Sequence, residues 1–207
     1  MQVEVTGFAV PEEAEVRDFL ARFADGGFRL DDLERVAKAV LPGYCGLVTP
    51  RAVAGRRRLV TVLELEGLQP FTLAHELAHV SDIAVRQGET RMHIAARRSK
   101  AWHLAHRMTS EYYANRVACR FCADDEAVFP AFQNDRIGLI AAARQSDWAH
   151  LLINYALLLG IFHGLGREDV EPLDFLPAGT SLPPRILSAI HAFRADAPAF
   201  WADYGGR

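Results

Sequence analysis

The chain predicts an α+β fold, with a small sheet in its first half and an all-helical carboxy-terminal part. Arg58-Leu59-Val60-Thr61-Val62-Leu63-Glu64-Leu65 is rich in branched residues and reads as a strand. Directly after it, Leu77, Val80 and Ala84 fall within about 40° of Leu73 on a helical wheel, the apolar stripe of a helix that packs on a core. Beyond Cys122 the character changes and the patterns become helical. At 207 residues, 50% of them hydrophobic, the chain can bury a substantial core. A single domain over 1–207 is expected, divided into a core at 1–125 and a helical extension at 126–207.

Taken in order, Pro11 to Ala24 reads as a helix closed by Gly26-Gly27, and Leu30 to Val40 as a second, ended by Pro42-Gly43. Short strands follow through Cys45 to Leu65. Pro70 suits the first turn of the next helix, where its missing N–H would have had no partner. A further helix surrounds Glu111, and Asp124-Asp125-Glu126 makes a break. Helical patterns then run from Pro130 through Ala143 and from Trp148 to about Leu165. The apolar run Leu151 to Phe162 is too short to span a bilayer and reads as a buried core helix. Glu171 to Pro184, with four prolines, reads as an irregular connector before a last helix near Ile186 to Ala195.

The chemistry is concentrated in His75-Glu76-Leu77-Ala78-His79. Residues four apart on a helix are one turn apart and about 40° from eclipsed, so two imidazoles at this spacing can grip one ion. Glu76 leans toward the same ion without having to bind it. This is the arrangement of a zinc-dependent hydrolase: two His ligands, and a carboxylate placed to take a proton from the activated water. His75, His79, Thr72 and Asp82 lie opposite the apolar stripe, with Glu76 at its edge, so the helix has one face for packing and one for chemistry.

A catalytic zinc normally takes three protein ligands. A metzincin would carry glycine three residues after the second His and a third His three residues beyond; Asp82 and Val85 occupy those places, which excludes that class. Glu111 is the better candidate. It shares a helical face with Asn115, Ala118 and Cys122, beside Ala114, a face with too few charges to be solvent-exposed. His103 and His106, spaced i and i+3, offer a rival source of the third ligand. Asp82 either receives a ring N–H from His75 or His79, fixing its tautomer, or is a helix-end carboxylate in water. Donors to a developing oxyanion are sought among Tyr112, Tyr113, His103 and His106, each of which also reads as ordinary packing or surface.

The run Phe71 to His79, followed by Glu111-x-x-Ala114-Asn115-x-x-Ala118, resembles the ImmA/IrrE group of glutamate-zincin metallopeptidases (gluzincins) over roughly residues 57 to 122. The resemblance implies a small zincin-like α+β catalytic core, zinc held by His75, His79 and Glu111, Glu76 as general base, and Asn115 as an outer-shell or packing residue. It implies a zinc-dependent endopeptidase acting on a protein or peptide substrate, such as a transcriptional repressor. The alternative is a catalytically silent zincin-like protein that binds zinc or a partner, although Glu76 has no use in a purely structural site.

A net charge of −3 gives no global argument for nucleic acid. Arg97-Arg98-Ser99-Lys100, with Arg91 and Arg107, forms a local basic patch that reads either as a guide for acidic substrates or as a solvated face. Three cysteines argue against a disulfide-built domain, and Cys119-Arg120-Phe121-Cys122, without a second pair, reads as buried thiols. Met1 to Thr6 lacks the basic start and apolar core of a signal peptide, and with no membrane segment a cytoplasmic location is expected.

Overall fold

The computed structural model describes residues 3–122 and 124–204. Met1 and Gln2, part of the stretch Met1 to Thr6 weighed above against a signal peptide, lie outside the described residues. The fold is α+β: four strands in one mixed sheet and seven α-helices among the described residues. Contacts divide the chain into two compact units, residues 1–97 and 98–207. The change of character expected at 125 therefore falls inside the second unit. Among the described residues, no helix is long and apolar enough to cross a membrane.

The first unit runs β1 (Glu4–Thr6), α1 (Val10–Asp25), β2 (Leu33–Lys38), β3 (Gly46–Arg51), β4 (Val60–Leu65), α2 (Pro70–Val85) and α3 (Gln87–Ile94). The sheet order is β1-β2-β4-β3, with β1, β2 and β4 parallel and β3 antiparallel on the edge. Nearly every residue of β4 is buried, as a central strand covered on both faces requires. Helix α1 matches its expected span and α2 begins at Pro70 as anticipated.

The helix expected over Leu30 to Val40 is instead strand β2, and the reason is visible in its register. Leu33 pairs with Thr61 and Arg35 with Val62, so two residues of β2 advance against one of β4. This bulge inserts one residue and brings Leu33 and Val36, three apart, both into the core. A buried i, i+3 pair imitates helical spacing, and Leu, Glu, Arg, Ala and Lys are good helix formers; pairing with both β1 and β4 overrides that preference.

On β3 the Cys45 carbonyl accepts the Glu66 N–H at 3.0 Å, so odd-numbered residues face β4 while Gly46, Val48 and Pro50 turn their backbone groups to the outer edge. Pro50 has no N–H to offer there, which is where a sheet tolerates proline.

The second unit consists of α4 (Lys100–Phe121), α5 (Asp125–Gln145), α6 (Trp148–Gly164), a 3₁₀ turn at Pro172–Phe175 and α7 (Pro184–Tyr204). Side chains cap three of these helices: Ser99, Asp124 and Asp147 accept the N–H of Trp102, Ala127 and His150. The sequence underestimates α7, which continues through Pro198. Helix α6 is the centre of the unit and packs on both α4 and α5. A Cβ at Gly160 would stand 2.5 Å from the Tyr112 carbonyl oxygen, so glycine there permits α4 to approach α6 closely. Ala114 and Ala118 are fully buried on α4.

Candidate metal centre

The apolar stripe predicted for α2 is buried at Leu73, Leu77, Val80 and Ala84, and the helix packs on β3 and β4. Its far end is bolted to the sheet by polar bonds. Arg58, two residues before β4, grips Asp32 with two nitrogens and also donates to the Ala84 carbonyl at 2.7 Å. Ser81 accepts the Arg29 N–H at 3.0 Å. With the backbone so fixed, the imidazoles of His75 and His79 converge, their Nε2 atoms 3.1 Å apart and the rings nearly perpendicular.

That separation tests the fit to a metal. Two nitrogens each about 2.05 Å from a zinc ion and subtending a tetrahedral angle stand about 3.3 Å apart. The observed pair is close to this, and its donor atoms are of the type zinc takes.

Glu76 is buried, and its neighbour explains how. A Cβ at Gly46, the first residue of β3, would come within 2.6 Å of the Glu76 Cγ and 2.8 Å of Oε1. The carboxylate arm thus lies against bare backbone at the free edge of the sheet. Gly46 is a positioning residue that sequence reasoning passes over. The available signal is a glycine within a strand, which marks a bulge or the close approach of another group.

Asp82 is not a carboxylate in water. It is 4% exposed and clasps the Arg86 guanidinium through both oxygens, with Arg86 Nε to Oδ1 at 2.5 Å. Arg86 is equally buried and also donates to Glu89 at 3.1 Å. Asp82 therefore anchors the junction of α2 and α3.

Within the second unit, Glu111 stands on α4 with its side chain 17% exposed, and Arg107 one turn earlier lies 3.5 Å away. The face predicted to be covered is covered: Asn115, Ala118 and Cys122 are all buried. Asn115 donates to Asp135 of α5 at 3.1 Å and to the Leu157 carbonyl of α6 at 3.0 Å, which makes it a packing residue of the helical unit. His106 stacks on Trp102, and His103 meets the same ring edge-on. Tyr112 is fully buried; its hydroxyl lies 2.9 Å from His163 Nδ1 and accepts from Arg116 at 2.6 Å. Tyr113 packs against Phe200 and Trp201. Both tyrosines thus belong to the interior of the helical unit. Cys119 and Cys122 are buried free thiols, burial pushing Cys119 up to about 12 with a smaller contribution from Cys122, while Cys45, next to Gly46, is exposed.

No family model, no curated protein and no solved structure matches the chain.

Proposed function

We propose that the protein is a zinc-dependent endopeptidase of the ImmA/IrrE kind, working in the cytoplasm on a protein or peptide substrate, with a transcriptional repressor as the model target. The observation that carries this reading is the convergence of the His75 and His79 nitrogens beside a buried Glu76 seated against Gly46. In this reading Glu111 supplies the third ligand, giving two imidazoles and one carboxylate, the donor set of a catalytic zinc that keeps a coordination position for water. A zinc ion bound by these residues supplies Lewis acidity and brings a water to a pKa of about 7. Glu76 accepts the proton of the attacking water, keeps it within its buried site, and hands it to the leaving amine. Edge strand β3 offers the free backbone groups of Gly46 and Val48 to an extended peptide, laying it beside Glu76.

Two measurements test the reading. Purified protein should contain one equivalent of zinc, and Glu111→Ala should lose most of it while keeping its helical circular dichroism. Full retention of zinc by a folded Glu111→Ala protein would remove Glu111 from the ligand set and turn attention to His103 and His106. Glu76→Gln should retain zinc and lose cleavage of an unfolded protein substrate by at least about a hundredfold, the scale of a general base. Equal cleavage by both proteins would dismiss the enzyme claim in favour of a silent binding protein.

A further inference from the structure

The first unit carries a concave feature apart from His75, Glu76 and His79. Beyond the far end of β3 lies a groove of about 430 Å³, walled by Pro50, Arg51, Arg91 and Arg97 and floored by Leu59 and Met92. Three arginines and no acidic residue line it. Arg51 pairs with Glu34 on its outer side, and Arg91 donates to the Arg57 carbonyl, which fixes its guanidinium against the loop before β4. The Arg97 N–H bonds the Met92 carbonyl at 3.2 Å, closing the turn that brings this arginine to the groove. Arg56 and Arg57 are exposed in the adjoining loop and add to the positive field. Leu59 is 2% exposed, so the floor is apolar and firm.

One strand connects the groove to the neighbourhood of Glu76. Gly46, against Glu76, begins β3, and Pro50 and Arg51 end it. At about 3.3 Å per residue, the four steps from Gly46 to Pro50 cover about 13 Å. An extended peptide following this edge with its scissile bond near Glu76 reaches the arginines four or five residues away. Pro50 withdraws the backbone N–H at that point, so recognition there passes from main chain to side chains.

We propose that the groove is a specificity subsite for acidic side chains flanked by aliphatic ones, selecting substrates with an Asp or Glu four or five residues to one side of the scissile bond. This inference rests on the endopeptidase reading, and binding separates the two. A fluorescein-labelled peptide of alternating Glu and Leu, and its Gln-for-Glu counterpart, are titrated against the full-length Glu76→Gln protein by anisotropy. The acidic peptide should bind at least about tenfold more tightly, the scale of a charge-assisted pair. Arg97→Glu combined with Arg51→Gln should abolish the preference with an unchanged melting temperature, and the single Arg97→Glu should reduce it if the double variant does not fold. Cleavage of a random peptide library by the wild type should enrich acids at that offset on one side only, and Arg97→Glu should erase the enrichment. Equal binding of the two peptides, enrichment on both sides of the cut, or tighter binding of a single-stranded oligonucleotide overturns the subsite. Selective binding with no cleavage of any substrate overturns the endopeptidase reading and leaves the groove as an acidic-peptide site.

Discussion

A methyl group at position 46 would collide with the arm of Glu76, and this contact supplies the sharpest prediction at the scale of single residues. On the proposed endopeptidase reading, Gly46→Ala should bind zinc normally and melt within a few degrees of the wild type, yet lose about a hundredfold in cleavage, because displacement of a catalytic group by about 1 Å can cost that much. Activity close to wild type would show that Glu76 does not need the bare backbone. Asp82→Ala should act on stability. It removes the carboxylate that clasps the buried Arg86, and unpairing a buried ion pair costs about 3 kcal/mol at the low end, to be read by urea denaturation. At this scale the sequence was informative where local spacing sets geometry, as at His75 and His79, whose ring nitrogens converge one turn apart. It was silent where the partner is distant in sequence. The i, i+4 spacing of Asp82 and Arg86 allows a pair without revealing that both are buried, and nothing beside Gly46 reveals Glu76.

Among elements, β2 shows how a local pattern misleads. Its residues favour helix and its two core positions stand three apart, yet a bulge produces the same spacing in a strand held between two others. Helices α2 and α6 were legible because each carries its own stripe, cap or proline, and those signals do not depend on distant pairing; α5 was read from Pro130 on, yet it begins at Asp125 behind the Asp124 cap, with Pro130 inside its first turns and Asp125 and Glu126 helical rather than a break. The α4 and α6 contact carries a pH dependence of its own. Burial chiefly, and the Arg116 charge next, hold His163 below the ordinary imidazole value of 6.5 while it faces the Tyr112 hydroxyl. Above pH 6.5 the ring is neutral in folded and unfolded chains alike, so the site is indifferent to pH. As the pH falls below 6.5 the unfolded chain takes up the proton first, and stability declines until the folded pKa is reached. The melting temperature should therefore drop between pH 7 and pH 5, and His163→Gln should flatten part of that slope; an identical slope in the variant would clear His163 of any role.

For the whole molecule, the division at residue 97 matters more than the expected boundary at 125. The second unit has its own core around α6, with Tyr112, Leu139, Leu151, Tyr155, Leu158 and Ile190 buried together. Residues 98–207 expressed alone should give a helical spectrum and a cooperative melt; a featureless thermal trace would show that this core depends on the first unit. The α+β class was readable because the strand-rich and helix-rich stretches are separate in sequence, whereas the division of contacts at residue 97 was not, since the Glu111 segment of α4 was read together with α2. The burial of two of the three cysteines has a practical corollary. An alkylating dye should react rapidly with one thiol per chain, at Cys45, one residue before the glycine that faces Glu76. The native protein thus carries a built-in attachment point for a fluorescent reporter, able to register occupancy of the strand edge without any engineered substitution.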